Sequence, residues 1–119
     1  MLKIMVIDED GAMRVLISEW LASEGHEVRS LPRLGDASDD TVDLVILDLA
    51  HPRSRSGETA RAVQAVRTAH PRSSVIGIST QVGRSLGSDS GAAQALGVSL
   101  LLAKPCSRDE LLDAVAAAL

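Results

Sequence analysis

Phenylalanine and tyrosine are absent from this 119-residue chain, and Trp20 is its one aromatic side chain. Whatever core the chain builds must therefore come from Leu, Val, Ile and Ala. Cysteine is nearly absent too: Cys106 stands alone, so no internal disulfide can form and a reducing compartment is the default. Basic residues are outnumbered, with 12 Lys and Arg against 16 Asp and Glu. That balance leaves no basic footprint for direct nucleic-acid binding. Long apolar runs are missing as well, and none approaches the roughly 18 to 20 residues of a membrane span. Lys3 and Asp8 interrupt the amino-terminal stretch, so no signal peptide is legible and a cytoplasmic protein is expected. At this length a single domain covering residues 1–119 is expected, without repeat, linker or output domain.

What the chain does have is a series of short apolar runs, each ending in a polar group. The clearest is Val42 to Asp48, where Leu44-Val45-Ile46-Leu47 stops abruptly at a carboxylate. A short unbroken apolar run of this kind reads as a strand buried on both faces. Leu2 to Ile7 reads as a first strand closing in Asp8-Glu9-Asp10, and Glu27 to Leu31 as a second. Val75 to Ile78 makes a fourth, ending in Ser79-Thr80. Val98 to Ala103 makes a fifth, ending in Lys104-Pro105.

Helical spacing fills the intervals. Met13, Leu16, Ile17, Trp20 and Leu21 recur at i, i+3, i+4, i+7 and i+8, with Gly25 placed to end that helix. Pro32 to Thr41 offers at most one or two turns. Gly57 to Ala69 carries Thr59, Ala62, Val63, Val66 and Ala69 at helical spacing, and His70-Pro71 stops it. Gln81 to Gly91 reads as a Gly/Ser loop, and Ala92 to Leu96 as a short helix closed by Gly97. Ser107 and Glu110 form a capping box for a last helix with Leu111, Leu112, Val115, Ala118 and Leu119 on one face. Strands alternating with helices predict an α/β fold, a flavodoxin-like (βα)5 three-layer sandwich. Its parallel sheet is expected in the order 2-1-3-4-5, with a shortened second helix.

In a parallel sheet the polar strand ends converge on one edge. Asp8-Glu9, Asp48, Ser79-Thr80 and Lys104 would meet there, at the carboxyl edge where open α/β sheets keep their sites. Each has a plain structural alternative: Asp48 as a loop cap, Asp8 to Asp10 as a helix start, Ser79 as a turn residue, Lys104 as a solvated cation. Taken together they are equipped for phosphoryl transfer. Crowded carboxylates call for a cation, and oxygen donors without paired His or Cys select Mg²⁺. Asp48 would be the nucleophile, with the metal and Lys104 neutralising charge on the transferred group.

These stretches make the chain resemble the receiver domains of two-component response regulators. The resemblance runs over essentially all 119 residues. It is carried by Ile4 to Asp10 with Arg14, Asp43 to Leu49 with Pro52 and Gly57, Val75 to Ser79, and Leu96 to Val98 through Lys104-Pro105. It implies Asp48 as phosphoacceptor, and Asp8, Glu9, Asp48 and the Ala50 backbone carbonyl around Mg²⁺. It also implies Ser79 as the switch hydroxyl (with Thr80 beside it), Lys104 against the phosphoryl group, and a cis peptide at Pro105. A sensor histidine kinase or phosphotransfer protein would supply the phosphoryl group. A downstream protein or an output domain outside this chain would respond, and a homodimer is compatible with the family.

The chain departs from the family pattern in places. Gly57 arrives one residue late, Arg53 and Arg55 stand within the loop that follows Asp48, and the loop after Ser79 is longer. Leu101 stands where the family commonly has an aromatic that turns inward on activation. These departures keep open a second reading, a degenerate receiver that binds partners without phosphorylation. A cofactor-binding flavodoxin-like domain is a third reading, and Asp48-Leu49-Ala50-His51 matches its cobalamin pattern poorly because His51 comes one residue late. None of the three readings makes the chain an enzyme in its biological role.

Overall fold

The structure, a computed structural model, describes residues 2–32, 42–49, 56–79, 97–103 and 106–118, with the backbone alone at 56–60 and 79. Five strands and three helices lie in this order: β1 (Lys3–Ile7), α1 (Gly11–Ser23), β2 (Glu27–Leu31), β3 (Leu44–Asp48), α2 (Ser56–Ala69), β4 (Ser74–Ser79), β5 (Leu100–Ala103) and α3 (Arg108–Ala117). The strands form one parallel sheet in the order β2-β1-β3-β4-β5. Both the parallel sheet and its strand order agree with the expectation from sequence. The expected short helices in 32–41 and 92–96 fall outside the described residues, Pro32 apart.

Alternation along the strands divides the core in two. Ile4, Val6, Leu44, Ile46, Ile76, Ile78 and Leu102 face one side, where Ile17 and Leu21 of α1 and Leu111 and Val115 of α3 cover them. Met5, Ile7, Val45, Leu47, Val75 and Leu101 face the other, against Val63 and Val66 of α2. The continuous apolar runs are thus explained by burial on both faces.

The helices bury narrower stripes than their spacing implies. In α1, Ile17 and Leu21 are buried and Trp20 is half-buried, but Leu16 is 40% exposed and Val15 56%. In α2, Val63 and Val66 are buried while Ala62 and Ala69 face solvent. A helix lying on a flat sheet touches it along one line, so the outer positions of an apolar stripe stay wet. The ends are built from local chemistry. Gly25 takes a positive φ of 87° just past α1, and its N–H donates to the Ala22 carbonyl at 3.0 Å. Ser107 and Glu110 complete the capping box at the start of α3. Arg108 donates from Nη2 to Glu24 Oε1 and Ser23 Oγ, tying the end of α1 to the start of α3.

Asp43, just before β3, clamps the opposite edge of the sheet. Its Oδ2 accepts from the Lys3 N–H at 2.9 Å, and its own N–H donates to the Lys3 carbonyl at 2.8 Å. Its carbonyl accepts from the Ser74 N–H at 3.2 Å. One residue thereby locks the start of β3 to both neighbouring strands.

Gly77 is set by space, not by backbone conformation. It pairs with Leu47 of β3 and Leu101 of β5. A Cβ there would collide with Leu49 Cδ1 and stand 3.1 Å from Leu101 Cδ2. Leu49, the residue after Asp48, therefore lies across β4 where a side chain would otherwise be. Gly77→Ala is expected to lower the unfolding free energy by about 1 to 3 kcal/mol through overpacking. In urea denaturation, Gly77→Ala combined with Leu49→Val should lose less stability than the two single losses added. Strict additivity would contradict this packing.

Candidate functional site

The carboxyl edge is assembled by strand register. Ile7 of β1 pairs with Leu47 of β3, so the next rung brings Asp8 beside Asp48. Adjacent strands stand about 4.8 Å apart. Asp48 pairs in turn with Ile78, and Ser79 pairs with Ala103 one rung higher. The Leu49 N–H donates to the Ile78 carbonyl at 2.7 Å, continuing the β3–β4 ladder past Asp48. The backbone of Ser79 thus ends β4 directly above the rung of the two aspartates. Lys104 and Pro105 follow Ala103, but they lie outside the described residues, as do Ala50 and Thr80.

The three consecutive acids after β1 do different things. Asp8 is 2% exposed and is held at three points. Its N–H donates to the Leu31 carbonyl at 3.1 Å, its carbonyl accepts from Arg14 Nη1 at 2.7 Å, and its Oδ1 accepts from the Asp10 N–H at 2.8 Å. Glu9 is exposed. Asp10 is the N-cap of α1, with Oδ1 accepting from the Ala12 and Met13 N–H groups at 3.0 and 3.2 Å. The helix-start reading of this acidic run therefore holds for Asp10, while Asp8 is turned to the sheet edge beside half-buried Asp48.

Two carboxylates on one rung repel unless a cation stands between them or nearby. Among the described residues, no three His, Cys, Asp or Glu side chains gather closely enough to hold a metal by themselves. A small hard ion needs fewer: Mg²⁺ uses one or two carboxylates and completes its octahedron with water and phosphate oxygens. The donor set of Asp8 and Asp48, with exposed Glu9 adjoining, fits such an ion.

Comparison with known proteins follows the same line. The family model for the response regulator receiver domain matches residues 4–116. The chain belongs to the response regulator receiver family. No curated protein sequence matches it. Among solved structures, the chemotaxis protein CheY4 of Vibrio cholerae is similar at a TM-score of 0.78 and 22% identity, covering 100% of this chain and 99% of that one. A response regulator from Thermotoga maritima gives 0.75 at 21% identity, covering 96% and 93%. A response regulator from Burkholderia pseudomallei, solved with a phosphorylated aspartic acid and a calcium ion, gives 0.73 at 17% identity, covering 98% and 66%.

Receiver domains are signalling switches of two-component systems and hold a divalent metal at their acidic pocket. In this receiver Leu101 is 1% exposed and packed within the core. Two features of the site escape a sequence reading: the division of labour between Asp8 and Asp10, and the reach of Arg14 back to the Asp8 carbonyl. The signal for the second was a cation in the opening turns of α1, against the helix dipole. Asp10→Ala is expected to cost about 1 kcal/mol of stability by uncapping α1, with Asp10→Asn recovering most of it. Thermal unfolding of the pair checks the cap; equal losses in both variants would show that the charge matters and the cap does not.

Proposed function

We propose that this receiver accepts a phosphoryl group onto Asp48 in a Mg²⁺-dependent reaction and thereby switches a partner-binding surface. The observation that carries the reading is the shared rung of Asp8 and Asp48 at the carboxyl edge, with the end of β4 one rung above. Asp8, Asp48 and Glu9 would hold the metal together with the Ala50 carbonyl. When bound, Mg²⁺ supplies charge neutralisation for the oxygens of the transferred phosphoryl group.

The chain's own residues perform the remaining tasks. Asp48 attacks the phosphorus with a carboxylate oxygen, forming an acyl phosphate. The bond from phosphorus to the donor breaks, and its electron pair leaves with the donor group, the imidazole nitrogen of a phosphohistidine. Lys104 pairs with the phosphoryl oxygens, and Ser79 follows them with its hydroxyl. The product adds about 1.5 to 2 negative charges at the sheet edge, enough to bias a two-state surface.

The proposed donor is a sensor histidine kinase or a phosphotransfer protein. The proposed reader is a downstream protein or an output domain, and the setting is the cytoplasm. No helix among the described residues is long and apolar enough to cross a membrane. With Leu101 already buried, transmission falls to backbone and loop shifts around β4, not to an aromatic side chain turning inward.

Treatment with acetyl phosphate and Mg²⁺ should give an adduct of about 80 Da, the mass of one phosphoryl group, read by intact mass spectrometry. The adduct should disappear in Asp48→Asn and on chelation of the metal. Equal labelling of Asp48→Asn would remove Asp48 as the acceptor. Absence of any adduct in the native chain would favour a receiver that binds its partner without phosphorylation.

A further inference from the structure

We propose that Arg14 is a positioning residue for the metal site, acting through the peptide that joins Asp8 to Glu9. The inference rests on the reading of Asp8, Glu9 and Asp48 as a Mg²⁺ site. Arg14 lies in the second turn of the exposed-to-half-buried side of α1 and is itself half-buried. Its side chain runs back along the helix, past Gly11, where Nη2 would stand 3.7 Å from a Cβ at that position. It ends with Nη1 donating to the Asp8 carbonyl at 2.7 Å.

Helix electrostatics do not account for this placement. The amino-terminal end of a helix carries partial positive charge, and a guanidinium drawn toward it is disfavoured. The first turn of α1 contributes no acidic residue that would attract it. What lies at the end of its reach is the backbone of the acidic run itself.

The accepting carbonyl belongs to the planar unit linking Asp8 to Glu9. Fixing that oxygen sets the direction in which Glu9 leaves the strand. The preceding unit, Ile7 to Asp8, is held by the Asp8 N–H to the Leu31 carbonyl, and the following one, Glu9 to Asp10, by the Asp10 N–H to Asp8 Oδ1. Arg14 therefore closes a set of three bonds that fix Asp8 and the backbone from which Glu9 projects before any ion arrives. The charge-assisted bond fixes the peptide directly at 2.7 Å, whereas the repulsion a guanidinium exerts on an incoming cation acts across solvent and is screened by salt. Removing Arg14 should accordingly weaken metal binding, although it also removes a positive charge.

The test uses the whole chain with Arg14→Ala and Arg14→Lys. Calorimetric titration with Mg²⁺ should show affinity about tenfold weaker in Arg14→Ala, as for outer partners of metal ligands generally. Arg14→Lys, which keeps the charge and one donor, should fall between. In metal-free protein, amide hydrogen exchange should show the Asp10 N–H losing protection in Arg14→Ala while the β3 amides keep theirs. An Arg14→Ala protein that binds Mg²⁺ as tightly as the native chain, or more tightly, overturns the proposal, as does unchanged protection at Asp10. If the native chain takes no Mg²⁺, the functional reading above fails and the positioning role for metal fails with it. The exchange result then still reports whether Arg14 orders the loop. Should Arg14→Ala not fold, Arg14→Lys carries the same comparison.

Discussion

The register of the central strand β3 is the constraint on which the site depends. Asp43 binds the backbone of Lys3 and Ser74 at one edge of the sheet, and five residues later Asp48 emerges at the other. Side chains alternate strictly along a strand, so a slip of one residue would send Asp48 to the opposite face and separate it from Asp8. The apolar side chains between the two acids resist that slip, because it would exchange the two halves of the core. The chemistry at one edge is thus secured by a polar clamp at the other and by packing between them.

Much of the architecture was legible in the sequence because continuous apolar runs occur for few reasons. Leu44 to Leu47 and Val75 to Ile78 could be little other than strands buried on both sides, and the serine and glutamate at 107 and 110 announce a helix start. Strand ends were less legible: β5 begins at Leu100, not Val98, since Val98 is buried without joining the ladder. The breadth of helical stripes was overread. Leu16 and Ala62 sit at the right period, yet period alone does not reveal how wide a strip the sheet will cover.

The site was legible at the level of which strand ends converge, because a parallel sheet leaves no alternative. Which acid does what was not. Asp8, Glu9 and Asp10 are three carboxylates in a row, and only the turn of the backbone after Ile7 sends one to the sheet edge, leaves one in solvent and folds one over the first N–H groups of α1. Such assignments come from hydrogen bonds over short loops, where residue type permits several geometries and tertiary context selects one.

The absent side chain at Gly77 carries a further consequence, which concerns descent more than mechanism. Leu49, Gly77 and Leu101 share one parcel of volume spanning β3, β4 and β5, next to Asp48. Growth at any of the three must be met by shrinkage at another. Variation in related chains should therefore conserve the total of the three volumes more faithfully than any one identity. A larger residue at 101 is expected to travel with a smaller one at 49, because the leucine laid across glycine already fills the space it would need.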